Sequence, residues 1–458
     1  MSTSPARAAA FDILLRIEQQ DAYASELLHS IQYEKLSPAN HGLTTELVMG
    51  ALRWRSLLDT EIGRFSSKNV KTLDLEVLTA LRLGAYQLLF LDRIPGRAAV
   101  HESVELVKRA RKRSAAPFAN AVLRKLAAEG VKSEIRSAAP NSAHNDELGK
   151  DGQASATDLS RRTAHPLWLC QRWIRQFGFD RARQICISDQ HPPAVAVRLA
   201  APGVEGELRS DGIDLAPGQL LASARRVRNG NASGSRAFAE GRIAIQDEAS
   251  QLVALLVGKG SRMLDCCAAP GGKTRVLAER NPESVITAME LHPHRARLLR
   301  KLVPAGNVEV INSDLLDFPS AADFDCVLAD VPCSGTGTLA HNPEIKWRLK
   351  APDLVDLQVR QLAILRAAMR QVAPGGRLVY STCSLEPEEN EEVVERALSG
   401  QPDFSILDCR LELERLRTKG ELVWGNLDSL VSEQFLRTIP GVHPCEGFFA
   451  AILHRHQG

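Results

Sequence analysis

The sequence predicts a multidomain protein: an all-α N-terminal part, a small α+β module, and a C-terminal α/β domain of the Rossmann-like, doubly wound type. Three observations carry this. Apolar residues recur at helical spacing through the first 130 residues, with no strand signal between them. From Met263 onward, short apolar strands alternate with helical stretches. At the start of the second region, Met263–Thr274 (MLDCCAAPGGKT) runs from a buried strand through an acidic residue and a glycine-rich turn into a helix. Open α/β sheets grip nucleotide-like ligands with that arrangement, at the carboxyl ends of their strands.

At 458 residues the chain is long enough for two or three cores. Hydrophobic residues make up 44% and charged residues 24%, the balance of a soluble globular protein. No apolar run approaches the roughly 18–20 residues needed to span a bilayer, so no membrane partner is expected. The N-terminal MSTSPARAAAFDILLRI carries charges through its apolar residues and has no signal-peptide core. Nine cysteines at irregular spacings, with no C-x-x-C, argue against a disulfide framework and a zinc site. Free thiols, no metal and a cytoplasmic location are the expectation, with a monomer as the default. The net charge of +2 does not select a partner.

Residues 1–130 read as successive helices. Ala10, Ile13, Leu14 and Ile17 share one face of a helix over Ala8–Gln20, and similar patterns recur at Thr44–Arg55, Asp74–Leu91, Val100–Arg113 and Phe118–Ala128. This part holds 18 Lys/Arg against 14 Asp/Glu, and its excess is sharpest at Lys108-Arg109-Ala110-Arg111-Lys112-Arg113. Such a cluster is either a solvated helix end, where cations suit the macrodipole, or a contact for a phosphate backbone. The run VHESVELVKRARKR, followed by FANAVLRKL, resembles the RNA-binding antitermination domain of the NusB type, which favours the phosphate reading.

Residues 131–162 are rich in Ser, Ala, Asn, Asp and Gly without apolar periodicity, which predicts a flexible linker. Helical periodicity restarts at His165–Gly178, where Trp168, Trp173 and Phe177 suit a core. Ala194–Leu199 alternates as a strand, so residues 163–245 are expected to form the small α+β module, a second candidate RNA-binding part. Residues 246–458 would then be the catalytic domain. It opens on a strand and amphipathic helix over Ile243–Val257 and continues through the strands MLD, VITAME, VEVINSD, DCVLADVPCS and GRLVYSTCS.

Three nucleotide loops compete at 263–274. A P-loop needs a glycine five residues before its GK[ST], and that place holds Cys267; a dinucleotide G-x-G-x-x-G is also missing. The third reading is S-adenosylmethionine, whose ribose hydroxyls call for an acid at the end of the next strand. Glu290 closes VITAME eighteen residues after Gly272. An ordinary strand–helix turn would account for a lone glycine pair. It does not account for strands that end in turn at Asp265, Glu290, Asp314, Asp330 with Cys333, and Cys383, ends that a doubly wound parallel sheet brings together.

Two thiols at that edge suggest nucleophilic chemistry, since a thiol beside polar groups and helix N-termini is activated where a buried one is inert. Cys186, Cys326 and Cys409 read as the inert kind. Cytosine C5 is a poor nucleophile. Addition of a thiolate at C6 makes C5 enamine-like and able to attack a sulfonium methyl group. Negative charge then builds toward N3, and Asp330 is placed to answer it as a proton donor.

LDCCAAPGGKT, ADVPCSGTG, NPEIKW and YSTCS, with QDEAS upstream and EGFFAAILHR at the C-terminus, resemble the RNA cytosine-5 methyltransferases of the Sun family. With a NusB-like domain in front, the resemblance is to the branch that acts on 16S ribosomal RNA, as free RNA or in an early small-subunit precursor. It covers the chain apart from the linker. It implies that Cys267, Ala268, Ala269, Pro270, Gly271, Gly272 and Lys273 hold the methionine and ribose side of the cofactor. Glu290 would take the ribose hydroxyls, Asp314 the adenine, and Asp330 the target cytosine beside the cofactor. Cys383 would be the nucleophile and Cys333 would assist release; spacing alone leaves those two roles open. Lys273 would brace the loop or its acids, and Asn342–Trp347 would form a substrate-side loop. Val331 and Glu446 depart from the family pattern without touching the chemistry. A second reading, an RNA-binding assembly or antitermination factor that keeps only the fold, shares the helical domain and basic cluster. The intact pair of cysteine motifs separates the two readings.

Overall fold

In the computed structural model, which describes residues 3–20, 22–129, 155–201, 203–320 and 322–457, the first helix, Pro5–Gln20, turns Ala6, Ala10, Ile13, Leu14 and Ile17 inward. Pro38–Arg53 follows behind Ser37, whose side chain accepts the Asn40 N–H and caps its start. The apolar helix Leu75–Phe90 is buried nearly all round and forms the centre that Gly96–Arg109 and Ala116–Glu129 cover. Glycine is required within it at Gly84, where a Cβ would stand 2.7 Å from Leu123 and Ser103. The helix Arg55–Phe65 was not evident in the sequence, because its apolar face is short: only Leu58 and Ile62 are buried.

The chain forms two compact units, Met1–Pro193 with Leu339–Arg348, and Ala194–Thr338 with Leu349–Gly458. The first corrects three sequence expectations. The helices Ala156–Thr163, Leu167–Phe177 and Phe179–Asp189 belong to it, whereas the sequence placed 163–193 with the α+β module. Their buried faces, Leu169, Cys170 and Trp173 against Ala182, Ile185 and Cys186, are helix-on-helix, and periodicity shows a face without showing what covers it. The linker expected at 131–162 ends early: Ser155 and Asp158 form a capping box that starts a helix at Ala156, and residues 130–154 lie outside the described residues.

The third correction concerns the loop expected over Asn342–Trp347, where Ile345–Arg348 is a helical turn. This segment belongs to the helical unit. Lys346 is 1% exposed and donates to the Arg53 carbonyl at 3.0 Å, and Trp347 Nε1 donates to the Leu52 carbonyl at 2.6 Å. Arg53 in turn donates to the Ala340 carbonyl at 2.8 Å, and Glu344 accepts the Ala24 N–H at 2.9 Å. Near Lys346 lie Asp189 and His165, which are 3.2 Å apart and buried. Burial pushes the Lys346 ammonium down to about 7 and the Asp189 carboxyl up to about 8, and it holds His165 neutral. A motif with this many polar residues reads as loop; here they serve as buried ties.

The second unit opens with strands β1 (Ala196–Leu199), β2 (Asp214–Pro217), β3 (Ala224–Asn229) and β4 (Ile243–Ile245), an antiparallel sheet in the order β2-β3-β1-β4. Its arginines are largely paired: Arg225 with Glu205 at 2.7 Å, Arg242 with Glu207 and Glu240. The larger sheet has a parallel part, β5 (Arg262–Asp265), β6 (Val285–Met289), β7 (Val308–Ile311), β8 (Phe324–Asp330) and β9 (Val372–Thr382), in the order β7-β6-β5-β8-β9. Order reverses between β5 and β8, so the ligand crevice opens at Asp265 and Asp330.

The sheet departs from the all-parallel expectation beyond β9. There β13 (Phe449–Arg455) pairs antiparallel with β9, and β10 (Phe404–Leu407) and β12 (Phe435–Arg437) pair with β13; β11 (Val431–Ser432) closes the edge. The continuous apolar run Phe449–Leu453 is fully buried, as a strand with both faces covered must be. This addition makes β9 an interior strand.

Candidate active site

At the end of β5 the chain turns over Cys266–Gly271 into the helix Gly272–Arg280. The Cys266 N–H bonds the Leu328 carbonyl and the Ala268 N–H the Met289 carbonyl, both at 2.8 Å, so the loop is stitched to β8 and β6. Gly271 has φ 114°, and a Cβ there would meet Val303 at 2.5 Å. Asp265 is buried and accepts the Thr274 hydroxyl at 2.7 Å. Its Oδ1 lies buried without a well-formed hydrogen bond, although the Cys267 backbone faces the carboxyl group. Burial pushes Asp265 up to about 7, with the Asp330 charge adding to the rise.

That shift has a consequence for stability. A carboxyl raised from 3.8 to about 7 contributes stability that is full below 3.8 and lost as pH rises through 7. Asp265→Asn removes this titration while keeping an acceptor for Thr274. The stability of the variant relative to the parent is therefore expected to grow between pH 4 and 7, by roughly 4 kcal/mol at most. Urea unfolding at a series of pH values measures it, and a constant difference would refute the burial assignment.

Glu290 follows β6, 4% exposed, with Oε1 accepting the His292 N–H at 2.8 Å and Oε2 3.6 Å from Arg295. Asp314, after β7, is half-buried and caps a short turn by accepting the Leu316 N–H at 2.9 Å. Asp330 ends β8. Its Oδ2 accepts from Lys273 at 2.7 Å and its Oδ1 from Ser381 at 2.7 Å. The sequence assigned Asp330 as a proton donor, yet both its oxygens are acceptors here, and the protons belong to Lys273 and Ser381. Burial alone would lower the Lys273 ammonium, but Asp330 beside it outweighs burial and holds it above its ordinary value. Lys273 also lies 5.0 Å from the centre of the Phe448 ring.

The two thiols meet. Cys333, in the loop after β8, and Cys383, just past β9, have sulfurs 3.2 Å apart. The hydrogen bond with Cys383, and then burial, push the Cys333 thiol well above its ordinary value, so it remains protonated. Cys266 and Cys267, in the glycine loop, are also pushed up by burial and are inert thiols. Cys326 and Cys409 behave the same way, as expected. Thus the structure brings Asp330, Cys333, Cys383 and Lys273 together, with Asp265, Glu290 and Asp314 along the same strand-end row. Sequence reasoning missed Ser381, although it lies two residues before Cys383, and Glu389. The run EPEEN around Glu389 has the composition of a solvated turn, and only its nearness to the TCS motif could have singled it out.

Such a sheet, with an acid at the end of each ligand-side strand and a thiol pair at the switch point, defines a Rossmann-like domain of the methyltransferase class. Comparison with known proteins narrows the class. A family model described as 16S rRNA methyltransferase RsmB/F matches residues 252–454, and a NusB family model matches residues 4–128. The chain is 34% identical to a probable ribosomal RNA small subunit methyltransferase B of Bacillus subtilis, over 99% of this chain and 100% of that protein. It is 34% identical to ribosomal RNA small subunit methyltransferase B of Pseudomonas putida, over 83% of this chain and 86% of that protein. A solved methyltransferase homolog protein from Pyrococcus horikoshii is 27% identical with a TM-score of 0.54, covering 66% of this chain and 99% of that one. The chain belongs to the RsmB/F family of small-subunit ribosomal RNA methyltransferases and carries a NusB-family domain at its N-terminus.

Proposed function

We propose that this protein transfers a methyl group from S-adenosylmethionine to C5 of a cytosine in 16S ribosomal RNA, through a covalent bond between Cys383 and C6 of the base. The observation that carries the reading is the thiol pair beside Asp330 and Lys273 at the switch point of the sheet. The resemblance of the TCS motif assigns attack to Cys383 and the second of the two thiol roles to Cys333, and sulfurs 3.2 Å apart let both act on one base.

The cofactor fits the residues present. Asp265 offers a buried oxygen in need of a donor, Glu290 has Oε2 beside only a distant arginine, and Asp314 stands next along the row. Residues 267–273 would hold the methionine and ribose side, Glu290 the ribose hydroxyls and Asp314 the adenine. When bound, S-adenosylmethionine supplies an electrophilic methyl group. The protein's part is to hold and activate the base. Cys383 adds to C6, and the electron pair of the ring moves toward N3, where the Lys273–Asp330 pair stabilises and protonates it. C5 takes the methyl group. A water takes the C5 proton, the C5–H electron pair re-forms the C5–C6 double bond, and Cys383 leaves as the thiolate, to which Cys333 offers its proton. The target base must be unpaired or flipped to reach the crevice.

The NusB-family domain supports RNA as the substrate, in free form or in an early small-subunit precursor. Within the basic cluster Lys108 pairs with Glu105, Arg109 with Asp12 and Lys112 with Asp74, at 2.7, 2.7 and 2.9 Å. Arg111 and Arg113 are exposed and have no ion pair among the described residues. They are the cations left for phosphate, so Arg111→Ala with Arg113→Ala is expected to weaken RNA binding by tenfold or more and to reduce the salt slope by about 2. Fluorescence anisotropy across a salt series reads both; an unchanged slope would remove these arginines from the interface. A monomer working in the cytoplasm completes the reading.

Bisulfite sequencing of ribosomal RNA from cells with and without the gene tests the function. One small-subunit cytosine that loses protection in the deletion is the expected result. Unchanged protection everywhere would leave the alternative, an RNA-binding factor with a silent methyltransferase fold.

A further inference from the structure

Glu389 is a fully buried acid beside the thiols, with no part in the chemistry above. Its carboxylate accepts four hydrogen bonds and faces no cation among the described residues. Ser334 gives two of them, from its backbone N–H at 2.8 Å and from its hydroxyl. The Ser384 hydroxyl gives another, and Gln361 Nε2 gives the fourth at 2.8 Å. Ser334 directly follows Cys333, and Ser384 directly follows Cys383. One side chain therefore grips the residue after each thiol.

The surrounding bonds extend that grip. The two serine hydroxyls lie 3.1 Å apart. Gln361 also donates to the Pro332 carbonyl at 3.0 Å, and the Leu385 N–H reaches the Thr336 hydroxyl at 2.9 Å. The Gly337 N–H bonds the Cys383 carbonyl at 2.9 Å. Asn390, the next residue, donates to the Ser384 carbonyl at 3.0 Å. Burying a carboxylate without a cation is unfavourable unless its lone pairs are filled, and here every donor comes from the two thiol loops or from Gln361, which also holds one of them. Packing alone would be served by an apolar or amide side chain. The use of an acid points to its capacity to accept from both loops at once.

We propose that Glu389 is a positioning residue for the thiol pair, which holds the loops after Cys333 and Cys383 in register so that the two sulfurs stay in contact. The catalytic consequence rests on the reaction proposed above. If Cys333 must stand beside Cys383 to assist elimination, loosening the clamp spares attack at C6 more than release. Glutamine is not a neutral replacement, because its amide nitrogen presents protons either to the Ser334 N–H and Gln361 Nε2, which donate to one oxygen, or to the two serine hydroxyls, which donate to the other and would have to turn round.

The test compares Glu389→Gln with Cys333→Ala and the parent in the full-length protein, with an RNA fragment containing the target cytosine. Turnover, KM for RNA and the fraction of protein trapped on RNA in a denaturing gel are measured. For Glu389→Gln, turnover is expected to fall at least tenfold with KM within twofold, and trapped adduct to rise toward that of Cys333→Ala. A merely structural role would lower thermal stability and turnover without raising the adduct. Parent-like turnover, or lost turnover with no adduct while Cys333→Ala traps, overturns the clamp. Absence of adduct with Cys333→Ala as well would overturn the proposed reaction and the clamp with it. Should Glu389→Gln not fold, Ser334→Ala and Ser384→Ala each remove one donor. Adduct rising in both supports the proposal, and adduct rising in neither overturns it.

Discussion

Replacing Cys383 by alanine is expected to lower methyl transfer by on the order of 10³-fold or more, with RNA and cofactor affinities within a few-fold of the parent. The side chain is small and only half-buried, so its loss should leave the fold intact. Without addition of a thiolate at C6 the C5 position stays aromatic and unreactive. Cys333→Ala should behave differently: methyl transfer to the bound base proceeds once, release stalls, and an RNA adduct stable to denaturation accumulates. Single-turnover assays with a labelled methyl donor and a denaturing gel separate these outcomes. If Cys383→Ala kept its turnover while Cys333→Ala lost it, the attacking thiol would be the one after β8. That reversal is chemically open, since the sulfurs are 3.2 Å apart and share one environment.

Lys346→Ala should produce the largest loss of stability among the substitutions considered, about 3–5 kcal/mol. The side chain is fully buried in the helical unit, where it donates to the Arg53 carbonyl and lies beside Asp189. Alanine removes the hydrogen bond to the Arg53 carbonyl and leaves a cavity the length of three methylenes and an amino group. Lys346→Met refills most of that volume and should fall between the two. Chemical unfolding of the full chain measures the series; a parent-like midpoint for Lys346→Ala would mean that this segment contributes little to the helical unit.

The contrast between these residues shows which features were legible in the sequence. Asp265, Glu290 and Asp330 could be placed because each closes an apolar run, and a parallel sheet aligns such ends whatever the loops do. Helices such as Pro5–Gln20 were visible from their spacing, with its start missed by three residues and that of Pro38–Arg53 by six. The short strands β10, β11 and β12 offer too few residues for a pattern, and β13 lies within the motif EGFFAAILHR, where a buried central strand and a buried helix segment share one pattern when the run is short. Lys346 and Glu389 were misread or passed over for a common reason. Charged residues in polar company are normally solvated, and their burial depends on partners distant in the chain: Arg53 is 293 residues from Lys346, and Ser334 is 55 from Glu389. Asp330 was legible from its place at a strand end and Lys273 as a brace for the loop or its acids; that the two meet across 57 residues is a property of the fold.

The membership of Leu339–Arg348 in the helical unit bears on how the protein is made. A ribosome delivers the N-terminal helices first, yet Leu52, Arg53 and Ala24 acquire their last partners only when residues 340–347 emerge, after the glycine loop, β5 and β8 have been synthesised. Until then the Leu52 carbonyl lacks its Trp347 donor, and the Arg53 carbonyl has Gln190 Nε2, at 3.1 Å, without Lys346. Nascent chains stalled before residue 339 should therefore carry a helical unit that is looser and more readily cleaved than the same helices in the finished protein. Completion of the first-born unit waits for the methyltransferase-family region, so each molecule that has closed its helical unit already contains the glycine loop.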